Sequence, residues 1–475
     1  MSEERVLNIS KKSFFSVMKI LGLLIGCAIL LTYIIPRGMF IYNLDGTLDF
    51  DNFTYLDHVG GINIFKGIFA PILVLTTEDA LSLTMLSIFI IMVSGSFQVM
   101  SDTNGIKVIV ERLIKKFENH RHILVMLITL VFMAFGAFFG LFEETLALLP
   151  VIIVLSLSLG YDSYTGFLMC TVATGFGFAT AITNPFTIVY ASNIIDASIN
   201  SGLLYRLLIF VVMYFILISF ISTHARKIKK HPELSVTYHS DNIKRKNLNI
   251  NIDDVENSKK IFKIYIIFLA FVFVSIMLST SLPALRDYTV AVLITVFLIG
   301  GIISGYLASK DWSLVWNGFK KGFVSTLPAI LMILMASSIK YILSEGMILD
   351  TITHSLQIWL DGKSVYLSIV ILLGIILVLE FFISSSTAKA IVVMGVLNVL
   401  IVNGGLGISK ELVILAYVFG DGYSNVLFPT SPVLLIALSL TGISYSKWLK
   451  KAIPLYVLVT LLMILFLFIG YWIGY

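Results

Sequence analysis

Charge is scarce in this sequence. Asp, Glu, Lys and Arg make up 13% of its 475 residues, against 58% hydrophobic residues. Soluble domains carry about 25% charged and about 45–50% apolar residues. The deficit continues to the last residue, and mean hydropathy is +0.97. A soluble globular enzyme is excluded, and a polytopic membrane protein remains. Cysteine is scarcer still. Cys27 and Cys170 both sit in apolar runs, so they offer neither a disulfide framework nor metal-ligand spacing. They read as small buried side chains. His120 and His122 flank Arg121 in a basic surface stretch and read as solvated rather than metal-binding. No nucleophile with its base and no metal triad is present, and the glycines around Gly175 lack the strand–turn–helix context of a cofactor loop. No catalytic residue, metal or cofactor is expected.

What is abundant is long apolar runs. Several windows exceed the roughly 18 apolar residues that mark a spanning helix, and the length leaves room for about ten such spans. The first run, Val17 to Ile35, is followed by Pro36-Arg37 without a small-residue cleavage site. It reads as a retained span rather than a signal peptide. Arg5, Lys11, Lys12 and Lys19 precede it and place the N-terminus in the cytoplasm. Asp45, Asp49, Asp51 and Asp57 then fall outside, and Ile64 to Thr76 lies at the interface. A span over Ala80 to Met100 delivers Lys107, Arg112, Lys115, Lys116 and Arg121 to the cytoplasm. Gly105 to Phe117 has the pattern of a helix on the membrane surface. The polar stretch 226–263 is the strongest positive-inside signal, with Lys229, Lys230, Lys244, Arg245 and Lys246 among its cations. It reads as a solvated cytoplasmic linker, not a nucleic-acid-binding run, and the net charge of +5 reports topology. Beyond it, Tyr265 to Leu282 and Val290 to Ala308 span. Trp312 to Phe323 carries FKKGF, an echo of FKGIF near Ile64, and reads as a surface segment before a span over Ser325 to Leu343. The last span, Ile453 to Ile473, leaves the C-terminus outside.

Four apolar stretches are interrupted by polar residues, and the interruptions come in two matching sets. In residues 1–225, a hairpin over about 123–159 turns at Glu143-Glu144, and a helix over about 164–195 breaks at Thr183-Asn184-Pro185. In residues 264–475, a hairpin over about 366–402 turns at Ser384-Ser385-Ser386-Thr387, and a helix over about 411–440 breaks at Pro429-Thr430-Ser431-Pro432. The landmarks recur at an offset of about 240–247 residues, as in Pro185 and Pro432. The odd span Tyr265 to Leu282 flips the second half. The expected fold is therefore an all-α polytopic membrane protein, an inverted repeat with two re-entrant hairpins and two discontinuous helices. That layout belongs to secondary transporters, which bind solute where broken helices expose backbone groups and dipole ends.

The polar residues at these breaks are the candidate site. Glu143 and Glu144 are adjacent carboxylates at membrane depth, where a cationic partner stabilises them. Successive helical residues diverge by roughly 100°, so one of them faces the solute, and Glu144 is the choice. Thr183, Asn184 and Pro185, with Thr430 and Ser431, supply hydroxyls, an amide and freed carbonyls. Asp421 lies between glycines in a span, with Asn425 one turn on. Ser384, Ser385, Ser386 and Thr387 would add hydroxyls at the second tip. Glu380 and Lys389 flank that tip and are candidates to pair. A dicarboxylate carrier should instead place fixed cations in its core. The acidic excess here favours a cationic substrate, with dicarboxylate or other organic-anion transport as the alternative. A channel needs a continuous pore, which two hairpins with off-axis breaks do not suggest.

The GLFEET tip, the GFGFATAITNPF break and the FPTSPV break resemble YfcC-type members of the C4-dicarboxylate anaerobic carrier (DcuC-like) family of the ion-transporter superfamily, across essentially the whole chain. That family includes arginine–ornithine antiporters. The resemblance implies a bacterial cytoplasmic-membrane carrier with a dimerising scaffold domain, and a transport domain that moves as an elevator. It further implies exchange of basic amino acids, arginine against ornithine, with Na+ or H+ coupling left open.

Overall fold

The computed structural model describes residues 11–42, 48–56, 60–77, 79–116, 120–195, 197–198, 202–246, 257–286, 288–360, 363–383, 390, 393–394 and 408–475. Helix α1 (Lys11–Ile34) leads to an antiparallel hairpin of β1 (Gly38–Tyr42) and β2 (Leu48–Tyr55). Then come α2 (Ala80–Asp102), the amphipathic α3 (Gly105–Lys116) and α4 (Arg121–Ala134), which runs on as a π turn over Phe135–Phe139. A 3-10 turn, Glu144–Ala147, precedes α5 (Leu149–Ser158). Helix α6 covers 163–179 with a π segment at Leu168–Val172, and α7 covers 185–194, its first five residues also π. After α8 (Leu203–Lys230) follow α9 (Tyr238–Lys246), α10 (Ser258–Ser281), α11 (Thr289–Ser309), α12 (Trp312–Glu345) and α13 (Leu349–Leu360). The chain closes with α14 (Val365–Phe382), α15 (Lys410–Asn425), α16 (Pro432–Thr441) and α17 (Tyr445–Trp472). Among the described residues, seven of these helices are long and apolar enough to cross a membrane.

Two packed groups emerge. In the first, α12 lies along α2 and α1, and α11 packs between α2 and α10. The α2–α12 crossing is tight because a Cβ on Gly322 would come within 2.5 Å of the Gly95 backbone. The Ser94 hydroxyl donates to the Gly322 carbonyl across it (3.1 Å), and that of Ser96 to the Phe297 carbonyl (2.6 Å). Small residues and hydroxyls are what let spanning helices approach this closely. Two ion pairs tie the ends of α2 to α12: Lys340–Asp79 at 2.7 Å and Lys321–Asp102 at 3.5 Å. Lys321 and Lys340 are nineteen residues apart, about 28 Å along a helix, close to the roughly 30 Å of a hydrocarbon core.

The surface segment expected at Trp312 to Phe323 is instead the start of α12, continuous through Pro328. Its buried face repeats from Val315 through Gly318, Phe319 and Gly322 into Ser325 and Ala329. One unbroken stripe against α2 keeps the helix intact. The linker also differs from the solvated stretch expected. Helix α9 docks: Asp241 is buried and accepts hydrogen bonds from the Ser163 amide (3.0 Å), the Ser163 hydroxyl and Thr237. Lys244 reaches Ser163 and the last carbonyls of α16, Leu440 and Thr441, and Arg245 donates to the Tyr161 carbonyl.

The second group holds the interrupted segments. The backbones of α4 and α6 touch where a Cβ on Gly177 would overlap the Met133 carbonyl. Helices α6 and α15 cross antiparallel, Gly175 against Val426 and Gly422 against Ala179. Helix α14 packs on α15. This crossing sets the end of each helix beside an intact part of the other.

Candidate functional site

Each interruption is built by side chains that take over lost backbone hydrogen bonds. After Ala179, the amides of Ile182 and Thr183 donate to the Ala137 carbonyl (2.8 and 3.2 Å). The Thr183 hydroxyl donates to the Phe138 carbonyl (3.0 Å), and the Asn184 amide to the Gly136 carbonyl (3.2 Å). The Asn184 side-chain oxygen then accepts from the Phe186 amide (2.9 Å), which caps α7 with Pro185 at its first position. Gly140, at φ 69°, closes against that Asn184 oxygen. The first break is thus bolted to the π turn that ends α4. Thr183 is exposed, while Asn184 and Pro185 are buried.

The second break follows Asn425. The Val426 carbonyl accepts from the Trp448 indole (3.0 Å) and the Leu427 carbonyl from the Tyr445 hydroxyl (2.9 Å). Ser431 caps α16 by accepting from the Leu434 amide (3.4 Å), and Thr430 is buried beside it.

Carboxylates occupy two places. Glu144 opens the 3-10 turn and is buried, while Glu143, at its cap, is half-buried. The turn is held by the Thr145 hydroxyl on the Phe142 carbonyl (2.7 Å) and by the Cys170 thiol on the Thr145 carbonyl (3.6 Å). It packs against the π segment of α6 and against α16. Neither glutamate has an ion-pair partner among the described residues. The second place lies between α14 and α15. The Ser424 hydroxyl donates to Glu380 (2.8 Å), and the Asn425 amide to Asp421 (3.4 Å), with both acids buried. The antiparallel crossing sets this acid pair at the level of the first break. Glu380 was expected only as a candidate partner of Lys389, which lies outside the described residues. Its only sequence signal was a carboxylate inside an apolar run, and its link to Asp421 depends on α14 lying against α15.

Ser384, Ser385, Ser386, Thr387 and Lys389 lie outside the described residues. Among the described residues, no three His, Cys, Asp or Glu side chains are grouped to hold a metal. A small cavity lies where the two helix groups meet, lined by Phe89, Val93, Leu146, Pro150, Ser325 and Ile436 among others. Ser325 donates to Gly322 and Thr326 to Phe323 of their own helix, so this seam is apolar in character.

Residues 14–472 match the family model described as C4-dicarboxylate anaerobic carrier. Over 381 residues, 76% of this chain and 72% of the relative, the sequence is 26% identical to an Escherichia coli (strain K12) protein named "Putative basic amino acid antiporter YfcC". An uncharacterised protein of Haemophilus influenzae is 25% identical over 385 residues, 80% of this chain and 74% of its own length. Among solved structures, the Alcanivorax borkumensis YdaH transporter aligns over 97% of this chain and 99% of its own, at 12% identity and a TM-score of 0.44. Neisseria gonorrhoeae MtrF, described as illuminating a class of antimetabolite efflux pumps, aligns over 95% and 94%, at 14% identity and 0.44.

Proposed function

Since the chain belongs to the C4-dicarboxylate anaerobic carrier family, and is thus a multi-pass membrane transporter rather than an enzyme, we propose that its substrates are basic amino acids, with arginine exchanged for ornithine. The observation that carries this is the sign of the charge on the interrupted segments. Glu143, Glu144, Glu380 and Asp421 all stand at the breaks or the hairpin turn. A carboxylate at membrane depth is stabilised by a cation, and a guanidinium or ammonium supplies one. The E. coli relative's name points the same way. In this reading Thr430 and Ser431 bind the amino-acid backbone, and Ser384 to Thr387 complete the second tip. Asn184 and Pro185 position the first break.

The group of α4 to α7 and α14 to α16 is the moving body, and the group of α1, α2 and α10 to α12 is a dimeric scaffold. The apolar lining of the cavity between them supports sliding. Proteoliposomes loaded with ornithine, arginine, lysine, succinate or fumarate and assayed for labelled arginine uptake test the substrate. Stimulation by internal ornithine and arginine, and none by the dicarboxylates, is expected. Stimulation by succinate or fumarate alone would reverse the assignment in favour of an anion carrier.

A further inference from the structure

Among the described residues, no free positive charge packs on the 3-10 turn that carries Glu144. The elements against it are α2, α5, the π segment of α6 and α16. Helices α5 and α16 contain no charged or titratable residue. The π segment offers Cys170 alone, and that thiol donates to the Thr145 carbonyl (3.6 Å). On α2 the one charged side chain is Asp102, at the helix end, where Lys321 pairs with it (3.5 Å). Leu146 and Ala147 of the turn itself line the small apolar cavity between the helix groups.

Glu144 is buried in these surroundings, and Glu143 beside it is half-buried. The two carboxylates are close enough to repel one another. Burial and a like neighbour both work against the charged form of an acid, so keeping both ionised is unfavourable until a positive charge joins them. A cationic solute is one such charge, and a proton is the other. Glu143 is only partly covered, so the pair is not sealed from either.

We propose that the Glu143–Glu144 pair holds a single shared proton when no solute is bound, that a cationic solute displaces it, and that the carrier therefore also exchanges H+ for that solute across the membrane. This rests on the cationic-substrate reading above and adds the ion that competes with the substrate. Two carboxylates with one proton carry one net negative charge. Two ionised carboxylates with a basic amino acid, itself carrying one net positive charge, again carry one. Only the form with neither ligand carries two, and it is the costliest to hold in apolar surroundings. Proton and solute are thus alternative passengers of equal charge. Glu380 and Asp421 add the same charge to both forms. In the displacement, a carboxyl O–H gives its proton to water on the side the site faces, and the ammonium or guanidinium takes its place through hydrogen bonds. On the other side the steps run in reverse, and no bond other than O–H changes. By linkage, the proton weakens solute binding as much as the solute weakens proton binding.

Infrared spectroscopy of the solubilised protein tests the shared proton without any solute, because a carboxylic acid has a C=O stretch that a carboxylate lacks. Wild type should show such a band at neutral pH. The Glu143→Gln/Glu144→Gln double variant should lack it, and the milder Glu144→Asp should shift its frequency. No band, or a band that neither variant changes, overturns the proposal. Titration with arginine in weak buffer containing a pH dye tests the displacement. Close to one proton should appear in solution for each arginine bound, and apparent affinity should rise about tenfold per pH unit over the range in which protons are released. In proteoliposomes free of internal amino acids, an acid interior should drive labelled arginine inward, and Glu144→Gln should abolish that uptake. Saturable arginine binding with no proton release overturns the displacement and leaves the substrate assignment standing. Binding of no basic amino acid overturns the substrate assignment and the displacement together, and the infrared band then reports separately on the proton.

Discussion

Glu144→Gln keeps the side chain's size and removes its charge. If the acid at the hairpin turn meets a cationic solute, the variant should lose arginine uptake while its melting temperature in detergent stays close to wild type. Equal uptake kinetics in the two proteins would remove Glu144 from the site. Asn184 should behave in the opposite way. Its amide and carbonyl already tie Gly136 to Phe186, so Asn184→Ala loses a cap and a hydrogen bond together. Thermal unfolding should show a loss of about 1–2 kcal/mol, with transport falling as the folded fraction does. The sequence exposed both residues equally well, because a polar group in an apolar run is conspicuous. It could not separate their roles. That depends on Asn184 standing against the π turn after α4, a contact across some fifty residues that no local pattern encodes.

Between elements, the decisive contacts are backbone against backbone. Gly322→Leu would drive a side chain into Gly95 of α2. Overpacking of this kind usually costs about 1–3 kcal/mol, and detergent-solubilised variant protein should show a lowered melting temperature and early loss of the α2–α12 pairing. At this scale the sequence was partly legible. The interrupted segments stand out because Pro, Asn and Glu break long apolar runs. Helix α12 was misread because FKKGF looks like a boundary, whereas its buried stripe passes through it. The β1–β2 hairpin was also unforeseen. Its signal was Asp45-Gly46 between runs of alternating character, faint beside the hydropathy of the spans. The docking of α9 had no signal at all, since Asp241 and Lys244 look like any charged linker residues until Ser163 and α16 are set beneath them.

At the scale of the whole molecule, the linker end depends on pH. Burial pushes the Asp162 carboxyl up, but hydrogen bonds from His224, Thr165 and Ser235 and the His224 charge outweigh it, and the group settles below its ordinary 3.8. A lowered folded value adds stability at neutral pH, and that contribution disappears as the pH falls through it. Asp162→Asn should therefore destabilise the protein by about 1.5–3 kcal/mol near pH 7. The gap to wild type should narrow below about pH 4, as melting curves across that range would reveal. A second property of the whole follows from the two lysines of α12. Fixed to Asp79 and Asp102, they hold one helix group at a set depth, so a membrane of another thickness has to bend to meet it. Such hydrophobic mismatch carries a penalty of fractions of a kcal/mol for each ångström. Lipid chain length thereby becomes a tuning variable for any displacement of the other group, acting with no contact at the solute site.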